Sequence, residues 1–507
     1  MTKESTILIG FIVLKFLLQY HLISPEYELQ RDEYLHLDQA NHLAWGYLSV
    51  PPVTSWISYI IKLLGNSVFW VKFFPALFGA LTILTVWKAI EVLKGNLFAL
   101  ILGATCVLFS SLLRLNTLYQ PNSLDVLCWT ALYFFVLTYL STEKPKWLFL
   151  GATVFALGFL NKYNIVFLMM GLLPAILISQ QRKLFLQKHF YLAILLALLI
   201  ILPNLLWQYF NNFPVIHHLQ ELAETHLVNV DRWSFLRSQL LFFIGSLVVI
   251  FSGLYALLFY KPFKKYQLFF WAMVFTLVIF LYLRSKSYYA IGIYPIYIAF
   301  GAVFLANLLR VGWKRYLRPV TLLIPLLFFI PMYEVAFPNK TPAYIIENQQ
   351  QYKALGMLRW EDGKDHSLPQ DYADMLGWKE LAYKVDKAYS ILVERNKTLV
   401  LCDNYGQAGA INYYTKQGIK AVSFNADYLN WFNLELPYTN LIRVKNAGST
   451  VRELEETSPY FHDAQIADSI TNSYAREYGT NIFVFTGAKI NINERIKTEI
   501  AAAKRRR

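Results

Sequence analysis

Cysteine is scarce: Cys106, Cys128 and Cys402 are the three thiols in 507 residues. Three cannot frame a disulfide scaffold, and none is spaced for a zinc site. Two fall in apolar runs and the third in a strand-like run, so all three read as small core residues. Charge is also scarce: Asp, Glu, Lys and Arg make up 16% of the chain, against about 25% in ordinary soluble domains. That shortage excludes a disordered chain and a coiled coil and argues against an ordinary soluble enzyme. No GxSxG, HExxH, Walker loop or GxGxxG stands out, so serine-elbow, zincin and nucleotide chemistry find no footing. Internal repeats and low-complexity segments are lacking as well.

What the chain does have is apolar length. Hydrophobic residues reach 56% and aromatics 17%, and the mean hydropathy is +0.36. A helix needs about 20 apolar residues to cross a bilayer core. Apolar runs near 6–23, 70–92, 96–113, 124–141, 147–160, 163–180, 189–208, 239–260, 266–284, 288–307 and 318–334 predict a polytopic α-helical membrane protein with about 11–13 spans. A shorter stretch at 53–64 reads as an interfacial or re-entrant helix.

Charge then assigns sides. Residues 1–333 hold 25 Lys and Arg against 12 Asp and Glu, whereas 334–507 hold 22 against 21. The basic excess therefore belongs to the apolar part, where cytoplasmic loops need it, and not to a polar nucleic-acid-binding domain. With a cytoplasmic N-terminus, Lys88, Lys94, Lys144, Lys146, Arg182, Lys183, Lys188, Lys261, Lys264, Lys265, Arg310, Lys314, Arg315 and Arg318 all fall inside. Glu26, Glu28, Asp32, Glu33, Asp38, Glu221, Glu224 and Asp231 fall outside. The first run lacks a small-residue cleavage site and is expected to remain as a span. An odd span count places the tail outside, giving a membrane module over 1–334, with its first outside loop at about 24–69, and a soluble extracytoplasmic α/β domain over 335–507. In that domain 374–392 predicts an amphipathic helix, 398–402 a buried strand, 408–417 a helix, and 420–424 and 481–485 further strands.

The outside loops carry the candidate chemistry. The first contains Asp32 and Glu33, with His36 four residues after Asp32 and on the same helix face. One carboxylate of such a pair can face a substrate while the other faces a support; the plainer reading is a helix N-terminus whose dipole favours acidic residues. Asp125 opens an apolar run near Arg114, and an ionisable group there is a functional candidate or a capping partner. Asn161, Lys162, Tyr163 and Asn164 break the fifth and sixth runs. Gln208, His217, His218, Glu221, His226, Arg232 and Arg237 fill a later loop, and Arg284, Lys286, Tyr288 and Tyr289 another. Outside cations oppose the inside bias and suit an anion such as a lipid phosphate, or else snorkel to headgroups.

The stretch RDEYLHLDQANHLAWGYLSVPPVTSWI at 31–57 resembles the first outside loop of the family 39-like (PMT_2) glycosyltransferases, relatives of protein O-mannosyltransferases and of the lipid A aminoarabinose transferase. YQPNSLDVLCW at 119–129, LNKYN at 160–164, PNLLWQ at 203–208 and KSYYAIGIYP at 286–295 are similar to the family's further turns. DMLGWKEL at 374–381 and DNYGQAGAINYY at 403–414 resemble its C-terminal domain. The resemblance implies the GT-C membrane fold in the plasma membrane of a bacterium. It also implies inverting transfer of a sugar from a polyprenyl-phosphate carrier to a lipid, glycan or protein acceptor. It makes Asp32 the general base, with Glu33 supporting it or holding a cation. Lys286 is placed first among groups near the donor phosphate, with Tyr288, Lys162 and Arg284. Asp125, His36 and Tyr289 complete the substrate-site candidates. Many relatives carry His, Glu or Lys just before the Pro-Pro, where this chain has Val50, which ligates nothing. Metal dependence therefore stays open, with Glu33 and His218 as weak candidate ligands and no certain cofactor. The rival reading is a transporter of lipid-linked sugar or another solute. Its midplane charges and paired repeats are not found.

Overall fold

A computed structural model describes residues 2–225, 231–448 and 450–506. The chain forms two compact units. One comprises Met1–Ile23, Val50–Thr54 and Ser67–Asn339, and the other Ser24–Ser49, Ser55–Asn66 and Lys340–Arg507.

The first unit is helical, and each of the eleven apolar runs carries a helix. Among the described residues, Val68–Val92, Pro121–Thr142, Lys188–Phe210 and Gly312–Val335 are long and apolar enough to cross a bilayer. Three bent pairs raise the number to seven if each is one span: Ile165–Ile178 with Gln180–Leu186, Arg232–Leu241 with Ile244–Phe259, and Ser287–Ile293 with Pro295–Leu308. Leu97–Leu108, Lys146–Asn161 and Leu268–Tyr282 are apolar but shorter. The chain is a polytopic membrane protein. Small residues bring its helices together, as expected where lipid supplies no hydrophobic drive. A Cβ at Gly171 would stand 2.9 Å from the Ala272 carbonyl oxygen, and one at Gly253 2.5 Å from that of Tyr297.

The second unit is built on a five-stranded sheet. Its strands are β1 (Thr398–Cys402), β2 (Val422–Ser423), β3 (Asn440–Lys445), β4 (Phe461–Ser469) and β5 (Asn481–Ala488), in the order β2-β1-β3-β5-β4. β1 pairs parallel with β2 and β3, and β5 pairs antiparallel with β3 and β4. The helix predicted over 374–392 begins at Trp378, because Gly377 takes φ +85° and turns the chain there. The helix predicted over 408–417 is Tyr405–Tyr414, started earlier by Asn404, whose side chain accepts the Gln407 N–H at 3.1 Å. β3, β4 and a terminal helix at Ile492–Arg506 go unpredicted.

The segment Ser24–Ser49 packs within this sheet unit. The Glu28 N–H bonds the Met375 carbonyl at 2.8 Å, and its carboxylate accepts the Lys379 N–H at 2.9 Å, capping Trp378–Ser390. Asp38 accepts Asn412 and Tyr428, each at 2.7 Å, while Asp427 accepts Gln39 at 3.0 Å and the Leu48 N–H at 2.8 Å.

Candidate functional site

The helix Arg31–Asp38 carries the carboxylate pair on its first turn. Gln30 is its N-cap, accepting the Asp32 N–H at 2.9 Å, and the Glu33 carboxylate reaches back to the Gln30 N–H at 2.6 Å. This is a capping box with glutamine in the leading place. It gives the neighbours different work. Glu33 is fully buried and satisfies the helix end, whereas Asp32 is half-buried and accepts the Tyr405 hydroxyl on Oδ1 at 2.6 Å. The Arg31 guanidinium lies 4.3 Å from the Tyr405 ring centroid. One turn on, His36 is buried with its Nδ1 3.3 Å from Gln39 Oε1. Burial lowers its pKa from the ordinary value, opposed by the nearby Asp32 and Glu33 charges.

Glycine sets the spacing of this helix from Tyr405–Tyr414. A Cβ on Gly409 would stand 2.8 Å from Tyr34 Cβ, and one on Gly406 would meet Arg31 Cγ at 2.6 Å. Both lie in helical backbone, where they serve close approach. Tyr34, fully buried, packs edge-on against Trp378, Tyr413 and Tyr414.

A second polar cluster lies in the membrane unit. Asp125 is 5% exposed in the first turns of Pro121–Thr142. Trp129 donates to its Oδ1 at 3.0 Å and Asn164 to its Oδ2 at 2.9 Å. Arg114, weighed above as its partner, donates to Thr117 Oγ1 at 2.5 Å. Lys162 ends Lys146–Asn161, donates to Asn122 at 2.7 Å, and stands 4.4 Å and 5.2 Å from the rings of Tyr289 and Tyr288. Asp125 attracts its ammonium and Lys286 repels it. Asn164 also donates to the Tyr289 carbonyl at 2.9 Å, tying the turn at 162–164 to the one at 286–289. Tyr163 donates to Asn204 at 3.1 Å and accepts Gln208 at 2.8 Å. The short motifs at 119–129, 160–164, 203–208 and 286–295 are thus joined by hydrogen bonds and ring contacts. Two cations, two phenols and amide donors in one cluster can bind an anion. Arg284 is exposed, at φ +51°.

Glu33 belongs to the sheet unit and His218, on Pro214–Thr225, to the membrane unit. No group of three His, Cys, Asp or Glu able to hold a metal occurs among the described residues. His226 and the Glu221 side chain lie outside them. Sequence reasoning did not single out Tyr405, although it lies in the stretch DNYGQAGAINYY at 403–414 that follows the buried strand Thr398–Cys402.

A family model described as dolichyl-phosphate-mannose-protein mannosyltransferase (PMT_2) matches residues 49–207, a stretch holding Asp125, Lys162 and Asn164 but not Asp32. The lipid A galacturonosyltransferase RgtD of Rhizobium johnstonii is 24% identical over 333 residues, covering 60% of this chain and 68% of that protein. ArnT from Cupriavidus metallidurans, solved with undecaprenyl phosphate bound, matches with a TM-score of 0.63 at 12% identity, covering 95% of this chain and 98% of that one. Its apo state matches at 0.60. The last two likenesses show a shared fold.

Proposed function

We propose that this relative of the PMT_2 glycosyltransferases, with the GT-C fold of ArnT, moves a sugar from a polyprenyl-phosphate carrier to an acceptor hydroxyl at the outer face of a bacterial plasma membrane. The carrier is undecaprenyl phosphate, the ligand named for the ArnT structure. The membrane module comprises 1–334 with about 11–13 spans, and 335–507 lies outside. The acceptor oxygen attacks the anomeric carbon, the bond from that carbon to the phosphate oxygen breaks with inversion, and Asp32 takes the acceptor's proton. Glu33 supports Asp32 by holding the helix end. Lys286, Lys162 and Tyr288 offset the charge that develops on the departing lipid phosphate. Arg284, Tyr289 and Asp125 line or brace the donor side, and the reading requires no metal.

The observation carrying this reading is the division of labour in the acidic pair. Glu33 is spent on the capping box, while Asp32 is left half-buried and oriented by a phenol. The test compares lipid-linked sugars in cells lacking the gene and in the same cells restored with wild type or Asp32→Asn. One polyprenyl-phosphate sugar should accumulate and be relieved by wild type alone. Relief by Asp32→Asn removes Asp32 as base. An unchanged lipid pool with altered solute uptake turns the assignment to a transporter.

A further inference from the structure

The helix bearing Asp32 sits at a particular place on the sheet. β1 lies between β2 and β3, parallel to both, and the chain leaves it through Tyr405–Tyr414 toward β2 before crossing to β3. The carboxyl end of β1 is therefore a topological switch point, where open α/β sheets ordinarily take ligands. Here it is filled by protein. Asn404 and Gln407 donate to Glu477 at 3.2 and 2.6 Å. The Tyr405 N–H points to Asn425, just past β2, at 3.4 Å. This network fixes Tyr405 from behind, while Arg31 covers its ring and its hydroxyl meets Asp32 Oδ1. Gly406 leaves room for the Arg31 side chain beside the turn.

We propose that Tyr405 is a positioning residue for Asp32, and that the sheet's ligand-binding edge serves to hold the base in orientation. The inference rests on the reading of Asp32 as base. The phenol hydroxyl sets the plane of the Asp32 carboxylate, and with it the direction in which the carboxylate meets an acceptor's proton. Loss of a hydrogen bond to a charged group, partly screened at a half-buried site, corresponds to about a tenfold loss in rate.

The test reads turnover per folded molecule. The full chain, reconstituted in nanodiscs, is given the lipid-linked sugar that accumulates in cells lacking the gene, with membranes of those cells as acceptor, and kcat and KM for the lipid are measured beside the folded fraction. Tyr405→Phe keeps the ring under Arg31 and removes only the hydroxyl; kcat should fall about tenfold with KM nearly unchanged. Replacing Tyr405 by 4-fluorophenylalanine, which fills the place of the hydroxyl without donating, should give the same loss, which keeps the test alive should Tyr405→Phe fold poorly. A kcat per folded molecule at the wild-type level in both variants overturns the proposal, even if stability falls, because a merely structural tyrosine would do that. Failure of the underlying reading is separate: Asp32→Asn that still transfers sugar removes the base, whereas Asp32→Asn that is inactive beside an unchanged kcat in both Tyr405 variants removes only Tyr405.

Discussion

Asp32 and Asp125 are both aspartates in the first turns of helices, and the two units treat them in opposite ways. In the membrane unit Asp125 is buried and receives donors on both oxygens from Trp129 and Asn164. A carboxylate held so deeply is costly to leave unpaired, and its neighbours are arranged to prevent that. In the sheet unit Asp32 is half-buried, and the burden of the helix end falls on Glu33. An acidic side chain that must exchange a proton needs access; one that joins two turns needs saturation. Under the proposed function, this contrast suits Asp32 to chemistry and Asp125 to architecture.

The sharpest way to break that assignment is Asp32→Asn, which removes the proton acceptor and keeps the shape. Transfer should fall by about 100- to 10,000-fold with the melting transition nearly unchanged, measured as release of undecaprenyl phosphate from lipid-linked sugar. Asp125→Ala should do the reverse, leaving buried donors without their acceptor at a cost of about 2–3 kcal/mol in stability. Thermal unfolding in detergent checks it. A well-folded Asp125→Asn without turnover would make Asp125 a second chemical carboxylate and dissolve the contrast.

Legibility in the sequence followed the range of the interaction. Helices of the membrane unit declared themselves because apolar length is a local property, and every predicted run holds one. The count of spans was harder to read, since bends such as the 106° between Ile165–Ile178 and Gln180–Leu186 divide runs that look continuous. Strand β4 was invisible because it is an edge: from His462 to Ala467 its side chains are exposed, and its composition is that of a loop. Asp32 and Glu33 were visible as a pair, yet their division depends on Gln30 as cap and on Tyr405, 373 residues away. The glycines at 406 and 409 were visible as glycines, but their purpose depends on Arg31 and Tyr34.

Those glycines give a smaller test of the same contrast. Gly409→Ala drives a methyl against Tyr34 Cβ and should cost about 1–3 kcal/mol. Because it pushes the Asp32 helix away from Tyr405–Tyr414, activity should fall further than the loss of folded protein explains. A loss of activity matching the loss of folded protein would mean that the spacing matters for stability alone.

The smallest expected effect concerns the charge beside Asp32. His36 lies one turn along the same helix, and burial holds its imidazole below the ordinary value. In the unfolded chain it takes a proton near pH 6.5, whereas the folded site resists. Its contribution is therefore present above about pH 6.5 and is lost as the pH falls through the depressed folded value. Glu28 and Asp374 run the other way: burial raises both, Asp374 to about 6 against the pull of Arg476 and Arg31, so their contribution is lost as the pH rises. A single melting curve mixes the two trends, but the difference between wild type and His36→Gln isolates the histidine. Between pH 7 and 5 the variant should lose less stability than wild type, read by thermal unfolding at both values. Equal losses would mean that His36 is protonated in the folded protein, so that a cation shares the face of Asp32 and the base works in a pair.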